Sequence, residues 1–346
     1  MRYKTGMYGG SFDPLHVGHL SCIVQAASMC EELYVVLSYS RERDHVPMET
    51  RFRWIYNSFL HMANVHILTL EDNYGSKAEY DADDTAWEAG RDYVIAQIGH
   101  PVDVVFCGSD YAGTQRYEKL YGCEVVYFDR DTVPVSATLI RSDPFKYWDY
   151  IPQICRPYYV KKVLLIGGES TGKSTLTQNL ALVYNTNFVE EVGREICDRA
   201  GGIEEMMIEE DFQEILLRHK LKEMEALKNS NRILFVDTDA LITKFFFHFL
   251  LTDPEALRRN DMLADAITGI NRFDLILFLE PTVEFVQDGT RNEKIRENRE
   301  MYSRQIKELF DQAGLEYHCI SGDYQERFGR TKELVDKMME TDRPLG

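Results

Sequence analysis

At two places in this chain a short apolar run ends in a glycine-rich loop that opens directly into an amphipathic segment. The first loop, Gly9-Gly10-Ser11-Phe12-Asp13-Pro14-Leu15-His16-Val17-Gly18-His19, follows Thr5–Tyr8. The second, Gly167-Gly168-Glu169-Ser170-Thr171-Gly172-Lys173-Ser174, follows Val163–Ile166. A strand handed through such a loop into a helix is half of a strand–helix–strand unit, the building block of parallel sheets. Glycine lets the backbone approach a ligand closely, and a helix N-terminus adds N–H donors and a positive dipole end. Both loops are therefore read as phosphate cradles, each in its own α/β unit.

The remaining pattern supports two units. At 346 residues the chain exceeds one ordinary domain, and two of roughly 150 to 200 residues are expected. The apolar fraction of 44% is enough for two cores. Candidate strands at Thr5–Tyr8, Leu33–Leu37, Val65–Thr69, Val102–Cys107 and Val125–Phe128 alternate with helical segments at Leu20–Glu31, Thr50–Met62 and Thr85–Ile98. Pro144, Pro152 and Pro157 then interrupt both periodicities and mark a boundary. A second alternation follows, with strands at Lys162–Ile166, Asn187–Val189, Ile233–Val236, Leu275–Leu279 and Tyr317–Ile320. Its helices are expected at Gly172–Tyr184, Asp211–Lys228, Asn292–Phe310 and Arg327–Met339. The expected architecture is α/β, with parallel sheets over residues 1–150 and 160–346 that bind ligands at the carboxyl ends of their strands.

Charge and cysteine usage narrow the function classes. The 57 acidic and 39 basic side chains, net −18, repel polyphosphate backbones at long range, so DNA binding is not expected. Small nucleotides can still be held by local loops. Cysteines 22, 30, 107, 123, 155, 197 and 319 show no C-x-x-C spacing, as for free thiols in a reducing compartment. No apolar stretch reaches the ~18 residues of a membrane span, and the nearest, Phe245–Leu251, is broken by His248. With no leader pattern ahead of the strand that begins at Tyr3, a cytoplasmic protein is expected.

The first loop suits nucleotidyl transfer, in which charge grows on the nonbridging α-phosphate oxygens of ATP and on departing pyrophosphate. That chemistry needs electrostatic stabilisation more than a covalent nucleophile. His16 and His19, three apart at a helix start, can face one phosphate. Gly10, Ser11 and Phe12 complete the loop, with Phe12 as its anchor in the core. Gly108 and Asp110, after Val102–Cys107, stand where adenosine is expected. Ser136 and Thr138 offer hydroxyls and backbone donors at another helix start, with Arg141 in reach of the β- and γ-phosphates. Tyr8, Arg51 and Trp87 are candidate acceptor contacts, an aromatic face being suited to a planar ring. Arg51 equally suits the start of an amphipathic helix, and Trp87 the core.

The second loop is a full Gly-x-x-x-x-Gly-Lys-Ser pattern between strand and helix, the context that phosphoryl transfer requires. Gly168, Glu169, Ser170, Thr171 and Gly172 supply backbone around the β-phosphate, and Thr175 continues the helix start. Lys173 neutralises the β/γ oxygens, and the Ser174 hydroxyl ligates Mg²⁺. Asp237 and Asp239 end another strand and point the same way if extended. Either could take a proton from an acceptor hydroxyl, hold Mg²⁺ through water or bind a ribose, and Thr238 or Asp239 also suits a helix cap. Glu191, Arg194 and Glu195 could bind acceptor hydroxyls. Arg291 stands where a lid arginine would stabilise the transferring phosphoryl group, whereas Arg296, Arg299 and Arg304 read as a solvated face.

These strings carry a resemblance. The G-x-F-D-P-x-H-x-G-H run at Gly10–His19 resembles the signature of the nucleotidyltransferase superfamily related to class I tRNA synthetases. Val135–Arg141 resembles the I-S-S-T-x-x-R motif of nicotinamide mononucleotide adenylyltransferases, with Ala137 replacing the second serine. The G-G-E-S-x-G-K-S loop, E-x-G-R-E at Glu191–Glu195, D-T-D at Asp237–Asp239 and D-G-x-R at Asp288–Arg291 recur in that order in NadR proteins. The chain resembles this family over nearly its whole length. The resemblance implies an N-terminal Rossmann-like nucleotidyltransferase sheet and a C-terminal P-loop kinase sheet. It also implies ATP as co-substrate at both sites, with Mg²⁺, for two reactions. Nicotinamide riboside is phosphorylated to the mononucleotide, and the mononucleotide is adenylylated to NAD with release of pyrophosphate. Some family members bind operator DNA through an N-terminal helix-turn-helix, which is not expected here because few residues precede the first strand. Two other readings share features: a bifunctional coenzyme A synthase, with the same domain order and H-x-G-H loop, and a nucleotide-sensing regulator with vestigial catalysis. Intact His16, His19, Lys173 and Ser174 stand against the regulator, and a homo-oligomer is left open.

Overall fold

The apolar run expected at Thr5–Tyr8 is the centre of an eight-residue strand, β1 (Tyr3–Gly10), in the computed structural model. The structure describes residues 2–129, 132–286 and 296–340, and the chain divides between Arg156 and Pro157 into two units.

In the first unit, β1 is followed by α1 (Val17–Met29), β2 (Cys30–Tyr39), α2 (Met48–Phe59) and β3 (Val65–Glu71). Then come α3 (Lys77–Ala82), α4 (Asp84–Ile98), β4 (Val104–Gly108), α5 (Arg116–Tyr121), β5 (Glu124–Phe128) and α6 (Ala137–Ser142). The strands form a parallel sheet in the order β3-β2-β1-β4-β5. Strand order reverses at β1, so the chain leaves β1 and β4 toward opposite flanks and opens a crevice at their carboxyl ends. The interior of β1 is buried on both faces, as a central parallel strand must be.

The second unit contains β6 (Lys161–Ile166), α7 (Lys173–Val183), β7 (Phe188–Val189), α8 (Gly193–Arg199), α9 (Glu209–Lys228) and β8 (Ile233–Asp237). It continues through α10 (Ala240–Leu250), α11 (Pro254–Ile270), β9 (Leu275–Leu279), α12 (Arg299–Gln312), β10 (His318–Ile320) and α13 (Tyr324–Glu340). Its parallel sheet runs β10-β9-β6-β8-β7, with β6 between β8 and β9. Val163, Leu165, Phe235, Leu277 and Leu279 are fully or almost fully buried along these three strands. Each such side chain contributes ~1.5–3 kcal/mol of transfer free energy, which holds the loop after β6 on a rigid base.

Several helices lie outside the expected set: α3, α5, α8, α10 and α11. The Phe-rich run weighed as a membrane candidate is part of α10, an 11-residue helix started by Asp239, with Phe247 fully buried. Among the described residues, no helix is long and apolar enough to cross a membrane. Helix α13 begins at Tyr324 rather than Arg327, because Asp323 and Glu326 form a reciprocal cap around its first turn. Residues 292–295 of the helix expected at Asn292–Phe310 lie outside the described residues, and α12 is described from Arg299. All seven cysteines are free thiols.

Candidate active sites

In the first unit the glycine loop leaves β1 with Phe12 at φ 50°, a left-handed conformation that turns the chain sharply into α1. Phe12 is fully buried, packed against Tyr8 and edge-on to His19. Its side chain is thus a wedge beneath the loop, the core anchor that the sequence suggested. His16 and His19 stack with ring centroids 3.6 Å apart. A Cβ at Gly18 would sit 3.0 Å from the His16 imidazole, so only glycine leaves that ring its place. The backbone N–H of His16 donates to His19 Nδ1 at 3.4 Å. The hydrogen of His19 therefore sits on Nε2, a donor suited to a phosphate oxygen.

Two cavities, about 290 and 310 Å³, open here and share Tyr8, Ser11, His19, Lys77, Gly108 and Arg141. The first also takes in Gly10, Arg43, Asp44 and a group of aromatics that includes Tyr80, Trp87 and Tyr117. The second adds His16, Ser136 and Thr138. Arg141 bridges the loops by donating to the Asp13 carbonyl and, at 3.2 Å, to the Thr138 hydroxyl. Ser136 accepts from the Leu139 N–H and caps α6. Trp87 is buried among Tyr80 and Tyr117, with the Arg116 guanidinium 4.9 Å from its ring centre. Asp110 is exposed on the turn Ser109–Tyr111 and lines neither cavity.

Arg51 also moves away from its expected role. Its side chain is 1% exposed and lines neither cavity. It donates at 2.6 Å to the Ser11 carbonyl and at 2.6 Å to Asp44. A buried guanidinium is tolerable only when so paired, and here it braces the loop from behind. Sequence reasoning passed over Arg43, which lines the aromatic cavity and forms a bidentate pair with Asp72. No motif spacing marks it.

In the second unit the loop after β6 begins at Gly167 (φ 144°), where a Cβ would lie 2.6 Å from the Leu279 carbonyl oxygen. Ser170 has φ 54°. The Lys173 ammonium and the Thr171 hydroxyl both donate at 2.9 Å to the Gly168 carbonyl, so Gly168 shapes the loop from outside the cavity lining. A cavity of about 240 Å³ is lined by Glu169–Thr175 on one side. Its other walls include Glu191, Arg194, Phe212, His219, Ile242 and Phe246. A neighbouring polar crevice of about 180 Å³ holds Ser174, Thr177, Glu190, Glu191, Arg194 and Asp237.

The two aspartates part company. Thr238 has φ 66°, which breaks the extended chain, so Asp237 and Asp239 do not point the same way. Asp237 is 2% exposed and takes a hydrogen bond from Ser174, while its Oδ1 has no hydrogen-bond partner among the described residues. Burial pushes its carboxyl up to about 6, against the pull of the Lys173 charge. Asp239 accepts from the N–H groups of Leu241 and Ile242 and caps α10. It lines neither the loop cavity nor the polar crevice, which corrects its expected catalytic and acceptor roles. Glu195 is corrected as well: it is half-exposed and pairs with Arg218 at 2.7 Å and Lys222 at 3.6 Å. Arg291 lies outside the described residues.

Two arginines hold the loop and were not expected to. Arg327, 2% exposed on α13, donates to the Thr171, Glu280 and Gly322 carbonyls and to the Thr282 hydroxyl. Arg299, expected on a solvated face, donates to the Ser170 and Val283 carbonyls. Both act through backbone oxygens of distant segments, which leave no trace in local spacing.

Comparison with known proteins follows this division. Residues 7–143 match the cytidylyltransferase-like family model, and residues 162–327 match an AAA domain model. The trifunctional NAD biosynthesis/regulator protein NadR of Salmonella typhimurium is 31% identical over 351 residues, covering 97% of this chain and 83% of that protein. The chain belongs to the NadR family. A crystal structure of NadR protein in complex with NR superimposes with a TM-score of 0.82 at 24% identity, over 98% of this chain and 96% of that one. A second, of NadR protein in complex with NAD and AMP-PNP, gives 0.81 at 23% identity over 98% and 97%. The NadR fold thus extends across both units.

Proposed function

We infer that this NadR-family chain is a bifunctional NAD-synthesising enzyme. The second unit phosphorylates nicotinamide riboside with ATP, and the first transfers the adenylyl group of a second ATP to the resulting mononucleotide. The observation that carries the reading is the family match over 97% of the chain, which takes in both motif loops. Ligands of the related structures, NR in one and NAD with AMP-PNP in the other, agree with it.

In the second unit, Lys173 and the loop backbone hold the β- and γ-phosphates of ATP. The riboside occupies the adjoining cavity, with Glu191 and Arg194 on its hydroxyls. Its 5′-oxygen attacks the γ-phosphorus, ADP leaves, and the hydroxyl proton passes to Asp237. A carboxylate raised to about 6 is suited to accept a proton near neutral pH. Magnesium fits the residues present, since Ser174 and the buried carboxylate beside it are hard oxygen groups. Ser174 would hold the ion, which when bound neutralises charge on the β/γ oxygens. Arg291 is assigned the lid role that its motif implies.

In the first unit, ATP lies along the cavity of His16, Ser136, Thr138 and Arg141, and the mononucleotide along that of Tyr8 and Trp87. A phosphate oxygen of the mononucleotide attacks the α-phosphorus, and pyrophosphate leaves. His19 Nε2–H and His16 stabilise the charge that builds on the α-phosphate oxygens.

The test offers purified protein and Mg·ATP either nicotinamide riboside or phosphopantetheine and follows dinucleotide formation. Nicotinamide riboside should yield NAD through the mononucleotide. Turnover of phosphopantetheine alone would replace this reading with the coenzyme A synthase.

A further inference from the structure

The cavity beside the second loop has two characters. Toward the loop lie Glu169, Lys173, Glu191 and Arg194, the last two shared with the polar crevice of Ser174 and Asp237. The rest is apolar, with Phe212 and Ile215 on α9 facing Ile242, Phe246 and Leu250 on α10, and Cys197 and Met207 between. One charged lining residue belongs to neither the loop nor the crevice. It is Glu204, on the single turn Glu204–Met206 that precedes Met207.

The Cys197 thiol reports the field in this apolar part. Burial raises it first, then Glu204, and Asp198, Asp211 and Glu169 add in the same direction, up to about 11. The four charges that act most strongly on that thiol are all negative, and the cavity's cations, Lys173 and Arg194, lie toward the loop. His219, the other titratable lining group here, does not oppose the negative charges. Burial pushes its imidazole below the usual range, and its Nε2 lies 3.0 Å from the Asp237 carbonyl, an acceptor. Nε2 therefore carries the hydrogen, Nδ1 faces its surroundings as an acceptor, and the ring is neutral.

An apolar, aromatic-walled cavity with a negative field suits a delocalised cation. The N-ribosylated pyridinium ring of nicotinamide riboside is one; the bases of ordinary nucleosides are neutral. We propose that Glu204 is the specificity-determining residue of this cavity, its carboxylate selecting a positively charged N-ribosyl ring over neutral rings of the same shape. The proposal rests on the riboside kinase reading and adds to it the group that recognises substrate charge. Phe212 and Phe246 supply apolar contact to either class, so discrimination falls to the carboxylate.

The experiment uses the full chain with Mg·ATP, nicotinamide riboside as substrate, and the C-riboside of benzamide as a neutral competitor of equal shape. Glu204→Gln should lower kcat/KM for nicotinamide riboside roughly tenfold, an effect of ~1.4 kcal/mol. The inhibition constant of the benzamide riboside and the KM for ATP should stay unchanged. Glu204→Asp, which keeps the charge, should recover part of the loss. Equal weakening of the cationic and neutral ribosides would overturn the proposal by showing a structural role, and no change in either would overturn it outright. Wild-type protein that binds the cationic riboside more tightly than the neutral one yet fails to phosphorylate it would remove the kinase reading while leaving charge selection in place.

Discussion

The two units solve the same problem, holding ATP at the end of a central parallel strand, but differ in what becomes of the nearest carboxylate. In the first unit Asp13 accepts from the backbone N–H groups of His45 and Val46 and lies 3.8 Å from Arg141. It is spent on tying loops together. In the second, Asp237 keeps one buried oxygen, beside Ser174 and Lys173, without a hydrogen-bond partner among the described residues. The acceptors explain the difference. A mononucleotide phosphate attacks as an anion already and asks only for charge stabilisation, whereas a ribose hydroxyl must lose a proton. On the proposed reading one site works by donors, the other by donors and a base.

The sharpest way to break that comparison is crosswise. Lys173→Ala should lower riboside phosphorylation roughly 10³-fold while leaving adenylylation of supplied mononucleotide intact, and His19→Ala should do the reverse. Separate assays of the two half-reactions on each variant decide it, and survival of both activities in both variants would dissolve the assignment. Next in size is Asp237→Asn. It keeps the shape but removes the proton acceptor, and should lower kcat for the riboside roughly 10²-fold with little change in KM for ATP. An unchanged kcat would mean that the second site, like the first, works by donors alone.

Legibility in the sequence follows the same line. The loops were readable because their chemistry needs particular residues at fixed spacing on one local turn: His16 with His19, and Gly172-Lys173-Ser174. The parallel sheets were readable from apolar runs alternating with helical periods. What stayed hidden is support from a distance. Arg51 reads as a substrate contact or a helix start, and only the fold shows its guanidinium under Ser11. Arg327 lies more than a hundred residues beyond the loop it holds. Asp237 and Asp239 look equivalent as written, and a single positive φ at Thr238 separates them. Of helices α10 and α11 only the cap at Asp239 was legible, although Asp253 before Pro254 is an equally good start signal.

A smaller effect is expected in the aromatic cavity of the first unit. Trp87→Phe keeps an aromatic ring but shortens the face presented beside Tyr80 and Tyr117. If the nicotinamide ring stacks there, KM for the mononucleotide should rise about fivefold, the size of a ~1 kcal/mol aromatic contact. Riboside phosphorylation in the same preparation should not change. An unaltered KM would make Trp87 a core residue that borders the cavity without touching its ligand.

The smallest expected change separates the two aspartates most cleanly. Asp239 is an N-cap, and asparagine caps a helix about as well as aspartate. Asp239→Asn should therefore leave both activities intact and, below about pH 4 where the carboxyl is protonated, stability within about 0.5 kcal/mol, in contrast to the same substitution two residues earlier. Its pH dependence carries a definite sign. Burial, partly offset by the two amide hydrogen bonds, raises the Asp239 carboxyl from 3.8 to about 7. A group raised on folding binds more protons in the native state, so its contribution is complete below about pH 4 and is lost as pH rises through about 7. Thermal unfolding of wild type and Asp239→Asn across that interval should show wild type losing stability relative to the variant as pH increases. A constant difference would mean that the cap is ionised throughout, with the amide hydrogen bonds outweighing burial.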